Sequence, residues 1–220
     1  MKKVILFDID YTLFDALKFR KDLFKKSKAI INNKNIEIDE KDLKDVYNKL
    51  REEVKYFGPR LFARRLKSKL NLDIDQDFLE KEILESEIFL SNLYKEAKTV
   101  LRKLSADKDL IIGILSGGED KFQRIKIKDL INFFHKDHVH ILFYKEDNLK
   151  KIINKYKKYK LFLVDDIPGV LHKAKNIDKN IITIWIKRGR FALKEKSIME
   201  FRPDHEIKNL NKIIPILKAN

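Results

Sequence analysis

The chain of 220 residues has no cysteine. That excludes disulfides, thiolate zinc sites and a cysteine nucleophile, and it fits a reducing compartment. Long apolar runs are missing as well, since none approaches the roughly 18 residues that a membrane span requires. Near the N-terminus only Val4–Phe7 is continuously apolar before the first acid, which is too short for the core of a secretory signal. A soluble, cytoplasmic protein with no membrane partner is therefore expected. The sequence also lacks internal repeats, low-complexity linkers and any Gly-aromatic or recognition-helix signature of a nucleic-acid module.

Charge is abundant: 49 Lys and Arg stand against 34 Asp and Glu, a formal net charge of +15. Such an excess can mark an electrostatic footprint for RNA or another polyanion. Here lysine is spread over the whole chain, as in "NKYKKYK" and "HEIKNLNK". A compositional bias accounts for this better than a binding patch, so nucleic acid is a possible partner that is not favoured. No feature of the sequence sets the oligomeric state.

Short apolar runs recur at Val4–Phe7, Leu110–Leu115, Val139–Leu142, Leu161–Val164 and Ile181–Ile186. Between the later ones lie segments such as "KFQRIKIKDLINFF" and "EDNLKKIINKYKKY", each long enough for one crossover helix. Strand and helix in alternation predict an α/β fold, a Rossmann-like parallel sheet with helices on both faces. The stretch from 16 to 94 has no strand candidate. Leu43, Val46, Tyr47, Leu50, Val54 and Phe57 keep helical spacing after Asp39, a plausible cap. Gly58-Pro59 ends that helix and opens one carrying Phe62, Leu66 and Leu70; a third begins near Asp75 with Leu79, Ile83 and Ile88. Residues 1–15 and 95–220 thus read as the core, and 16–94 as an all-helical insertion, a lid or cap.

In open parallel sheets ligands bind beyond the carboxyl ends of the strands. The residues found there are Asp8, Asp10 and Thr12 after the first run, Ser116-Gly117-Gly118 after the second, and Asp165-Asp166 after the fourth. Side chains two apart on an extended segment point the same way, so Asp8 and Asp10 would crowd like charges without a cationic partner. Four carboxylates at one edge call for a hard divalent cation with oxygen ligands, and Mg²⁺ with a phosphate is the natural guess. Lys145, in the loop predicted after the third run, is placed to hold the anion.

This order of residues, Asp8-x-Asp10-x-Thr12, a strand ending in Ser116, a downstream lysine and a strand ending in an acidic pair, resembles the haloacid dehalogenase superfamily over nearly the whole chain. The tail "DHEIKNLNKIIPIL" resembles its usual last strand and helix. The resemblance implies that Asp8 is a nucleophile forming an aspartyl-phosphate, and that Asp10 is the general acid and then base, with its backbone carbonyl on Mg²⁺. It implies that Ser116 and the Gly117 amide bind phosphoryl oxygens. Lys145 would stabilise their charge, Asp166 would bind the metal directly, and Asp165 would orient metal-bound water.

Two positions depart from the common pattern: Tyr11 stands where glycine is frequent, and Val170 where another acid often follows the metal ligand. Lys121, Lys126 and Lys128 are alternatives for the lysine; Lys145 is preferred because it follows a strand rather than lying along a helix. Arg60 and Arg64 would share a face of the second inserted helix, either solvated or meeting a second anionic group of the substrate. His135, His138 and His140 do not make a zinc set, because no further ligand has a matching spacing.

The implied activity is a Mg²⁺-dependent phosphatase for a small phosphorylated metabolite, with the helical insertion closing over the substrate. A basic polyanion-binding protein or a phosphatase of nucleic-acid ends is the alternative on this fold. A haloacid dehalogenase, which needs no metal and generally lacks the second aspartate, and a phosphomutase are less favoured.

Overall fold

The computed structural model describes residues 2–54, 56–84, 87–189, 192 and 201–220. They form two compact units: the residues up to Ala16 together with Leu93–Asn220, and Leu17–Asn92.

The first unit is built on six parallel strands, β1 (Lys3–Phe7), β2 (Leu110–Gly117), β3 (Val139–Leu142), β4 (Lys160–Asp165), β5 (Ile182–Ile186) and β6 (His205–Ile207). Their order in the sheet is β3-β2-β1-β4-β5-β6. β1 lies inside the sheet, which explains its unbroken apolar run: Val4, Ile5, Leu6 and Phe7 are all buried although they alternate between faces. Val4 and Leu6 join a core with Leu149, Ile152 and Ile153 of α7 (Lys145–Lys155) and Val170, Leu171 and Ala174 of α8 (Pro168–Ile177). Each large side chain so buried contributes about 1.5–3 kcal/mol. Gly113 in β2 permits a close approach, since a Cβ there would stand 2.4 Å from the His138 carbonyl oxygen.

Two expectations need correction. The segment after β2 is not one crossover helix: a short helix, Asp120–Lys126, stops where Ile127 leaves helical geometry (φ −109°, ψ 15°), and a 3₁₀ turn over Lys128–Phe133 follows. Lys145 is not in a loop but is the first residue of α7. An ammonium at a helix N-terminus opposes the helix dipole, and the carboxylates it meets, described below, offset that cost. Val170, at the position where an acid is common, is fully buried in the apolar core.

The second unit contains α1 (Ala16–Asn32, of which Leu17 onward belongs here), α2 (Glu40–Val54), α3 (Pro59–Leu70) and α4 (Gln76–Leu84). Its interior is aromatic. Tyr47 stacks on Phe57 with centroids 5.2 Å apart, and Phe62 lies 5.5 Å from Phe57. Asp75 caps α4 by accepting a 2.7 Å bond from the Phe78 amide. The remaining helices of the first unit are α5 (Ala97–Leu104), α6 (Asp120–Lys126) and α9 (Ile213–Ala219).

Candidate active site

Parallel register brings the ends of β1, β2 and β4 to one edge of the sheet. Phe7 is level with Ile114 on one side and Val164 on the other, and the Asp8 amide continues the ladder by donating to the Val164 carbonyl at 2.9 Å. Asp8 therefore emerges between the strand ends that carry Ser116 and Asp165. Ser116 Oγ donates to Asp8 Oδ1 at 3.0 Å, and Lys145 Nζ donates to the same oxygen at 2.6 Å and to Asp165 Oδ2 at 2.7 Å. No bond from a described residue falls on Asp8 Oδ2.

Asp8, Asp165 and Asp166 are all buried, and each offers a carboxylate oxygen within 4.8 Å of the others. Burial raises the Asp8 pKa to about 7; the Lys145 ammonium opposes the rise, and Asp165 and Asp10 add to it. Asp166 is pushed well above the usual carboxylate range by burial and by the charges of Asp165 and Asp8. Burial alone would favour a neutral Lys145, but the Asp165 and Asp8 carboxylates outweigh it and raise the pKa. Three buried carboxylates face one ammonium, an excess of negative charge in an oxygen-only donor set, and this fits a hard divalent cation.

The local chain explains the placement. Asp165 Oδ1 accepts from the Ile167 amide at 2.9 Å, and the Trp185 indole donates to the Asp166 carbonyl at 3.1 Å, so both acids are fixed before Pro168 opens α8. Tyr11 takes a left-handed backbone (φ 59°), which accounts for glycine being usual at that place in the family it resembles. Thr12 is fully buried. Its amide donates to the Ile9 carbonyl, its carbonyl accepts from Arg188, and its hydroxyl has no partner among the described residues.

Asp10 behaves differently from its neighbours. Its carboxylate is absent from the three-acid group and turns to the other side, where Lys126 Nζ lies 2.8 Å from both its oxygens and Gln123 Nε2 3.1 Å from Oδ2. The sequence offered Lys126 only as an alternative phosphate-binding lysine, and Gln123 not at all. The signal that could have found them is the helical spacing of Phe122, Gln123 and Lys126, which places all three on one face. Gly117 contributes its carbonyl to this arrangement, accepting from Gln123 Nε2 at 2.6 Å.

In the helical unit Arg60 pairs with Glu80 at 3.7 Å and Arg64 is exposed. His138 and His140 hydrogen-bond the Tyr156 hydroxyl at 3.0 and 2.6 Å, so both have a structural partner. Among the described residues no helix is long and apolar enough to cross a membrane.

No protein-family model and no curated protein matches the chain. Solved structures do. A provisionally named haloacid dehalogenase-like hydrolase from Burkholderia xenovorans superposes with a TM-score of 0.78 at 22% identity, covering 99% of this chain and 97% of the other. A 2-haloacid dehalogenase from Pseudomonas syringae gives 0.64 at 19% identity, with 100% and 99% covered. A provisionally named phosphatase from Clostridium difficile gives 0.64 at 18%, with 98% of each chain covered. The Bacillus subtilis protein YfnB, described as a magnesium-bound hydrolase of this kind, gives 0.60 at 18%, again with 98% of each. The chain has the fold of haloacid dehalogenase-like hydrolases.

Proposed function

We propose that the protein is a hydrolase of the haloacid dehalogenase type and, within it, a Mg²⁺-dependent phosphatase for a small phosphorylated substrate. The observation that carries this reading is the buried group of Asp8, Asp165 and Asp166, with Lys145 bridging Asp8 and Asp165. A dehalogenase would need no such excess of carboxylates.

Asp8 is the nucleophile. Lys145 and Ser116 bond its Oδ1, which leaves Oδ2 to attack phosphorus. As the new P–O bond forms, the bond to the leaving oxygen breaks and its electron pair departs with that oxygen, which takes a proton from Asp10. Water then attacks the aspartyl-phosphate and gives a proton to Asp10. The P–O bond to Asp8 breaks, releasing inorganic phosphate and restoring the carboxylate. Lys145 and the Ser116 hydroxyl are the donors nearest the developing oxyanion charge. Asp8, Asp165 and Asp166 would hold Mg²⁺, which when bound supplies further compensation of phosphoryl charge. The helical unit would select the substrate.

The test is hydrolysis of p-nitrophenyl phosphate and a panel of phosphate esters with Mg²⁺ and with EDTA, beside chloride release from 2-chloropropionate. Metal-dependent phosphate release that vanishes in Asp8→Asn is expected. Metal-independent dehalogenation without phosphate release would replace this reading with the dehalogenase one.

A further inference from the structure

Three side chains of α6 turn inward. Phe122, Gln123 and Lys126 are buried, while Asp120 and Arg124 face outward and pair with each other at 2.8 Å. A lysine only 5% exposed requires compensation, and this one has several partners. Its ammonium bonds both oxygens of Asp10 and lies 4.4 Å from the centroid of the Phe122 ring and 5.4 Å from that of Phe14. Gln123, 2% exposed, donates both to Asp10 and to the Gly117 carbonyl, and these two acceptors fix which way its amide points. Gly118 (φ 129°) lets this amide approach, since a Cβ there would stand 3.0 Å from Gln123 Nε2.

We propose that Lys126, supported by Gln123, is a positioning residue that fixes the Asp10 carboxylate for the water-activating half of the reaction. This inference rests on the phosphatase reading. Side chains at the end of a strand can swing between rotamers, and a base that must take a proton from one water gains from being held. In these contacts both Asp10 oxygens accept, from Lys126 Nζ and Gln123 Nε2, which fixes the plane of the side chain. When water's oxygen bonds phosphorus, its proton passes to Asp10 and the Asp8–phosphorus bond breaks. Loosening Asp10 therefore slows this half-reaction most.

The experiment is Lys126→Met, alone and combined with Asp10→Asn, in pre-steady-state hydrolysis of p-nitrophenyl phosphate. The p-nitrophenolate leaving group needs little protonation, so formation of the aspartyl-phosphate continues. Lys126→Met is expected to lower kcat at least tenfold, to lower KM with it, and to show a burst of p-nitrophenolate close to one equivalent per site. In the Asp10→Asn background it should cost no further activity, because it acts through Asp10. Gln123→Leu should give the same signature to a smaller extent. Wild-type kcat without a burst, or losses that multiply in the double variant, would overturn the proposal.

Urea unfolding of the wild type, Asp10→Asn, Lys126→Met and the double variant reads the pairing without using activity. Asp10→Asn and Lys126→Met should each lower the midpoint, and the double variant should recover part of the loss. Independent midpoint shifts refute the pairing whatever the kinetics show. If the unaltered chain hydrolyses no ester, the phosphatase reading fails and the kinetic role with it, while coupled unfolding still establishes the pairing.

Discussion

The Lys145 ammonium donates to Asp8 Oδ1 across 2.6 Å, although 137 residues separate the two in sequence. Both are almost wholly buried. Breaking such a pair leaves an uncompensated charge in the interior, at a cost of about 3–5 kcal/mol. Lys145→Met is expected to destabilise the metal-free protein by about that amount, measured by urea unfolding. A loss under about 1 kcal/mol, the value of an exposed pair, would show that Asp8 and Asp165 do not need this lysine.

Asp8 in the folded chain has a pKa of about 7, against 3.8 ordinarily, and Asp166 is raised too. The folded state then binds more protons than the unfolded one over that interval. The stability these groups contribute is full below their ordinary values and is lost as pH rises through about 7. A divalent cation competes with those protons, so the gain in thermal midpoint on adding Mg²⁺ should grow between pH 5 and 8. At a hundredfold excess over Kd the gain corresponds to about 2.7 kcal/mol. Asp166→Asn should abolish it. A Mg²⁺-induced shift of equal size at both pH values would contradict this assignment.

His140 is pushed down to about 4, by burial first and then by Lys155 and His138, and His138 is also lowered. The sign is opposite to that of Asp8. Stability from these neutral imidazoles is present above their ordinary value of 6.5 and is lost as pH falls toward about 4. Comparing wild type with His140→Phe across this window isolates the effect. The difference in thermal midpoint should change with pH, most steeply below 6.5, and a constant difference would refute it.

Tyr11 and Gly189 both hold left-handed backbone, at φ 59° and 63°, and a Cβ on Gly189 would meet the Tyr11 ring at 2.6 Å. Gly189→Ala combines a conformational penalty with overpacking and should cost about 1–3 kcal/mol in urea unfolding. Tyr11→Gly in the same chain should relieve the clash, so the double variant is expected to lose less than the sum. Additive losses would show that the ring is not what the methyl meets.

Much of the sheet was legible because strands buried on both faces must be apolar throughout, as in Val4–Phe7; the half-buried edge strand Val139–Leu142 was also predicted and is observed with those bounds. The others shift by a residue or two at their ends, where polar residues such as Lys160 and Ser116 continue the ladder. Glycine spacing and periodicity likewise showed where α3 begins, at Pro59 after Gly58. The helix proposed after β2 was too long because its apolar positions suit both an α-helix and a 3₁₀ turn, and local pattern does not separate them.

The sequence by itself determined that Asp8, Ser116 and Asp165 would gather, because parallel strands deliver their carboxyl ends to one edge whatever the loops between them do. Only the tertiary structure decided which cation meets which acid. The linear reading preferred Lys145 over Lys121, Lys126 and Lys128 because it follows a strand, but only in three dimensions does Lys145 meet Asp8 and Asp165, and Lys126 meet Asp10. The physical reason is that ion pairing depends on distance in space and on exclusion of water. The rotation of α6 and the seating of α7 on the sheet set both, and a linear pattern encodes neither.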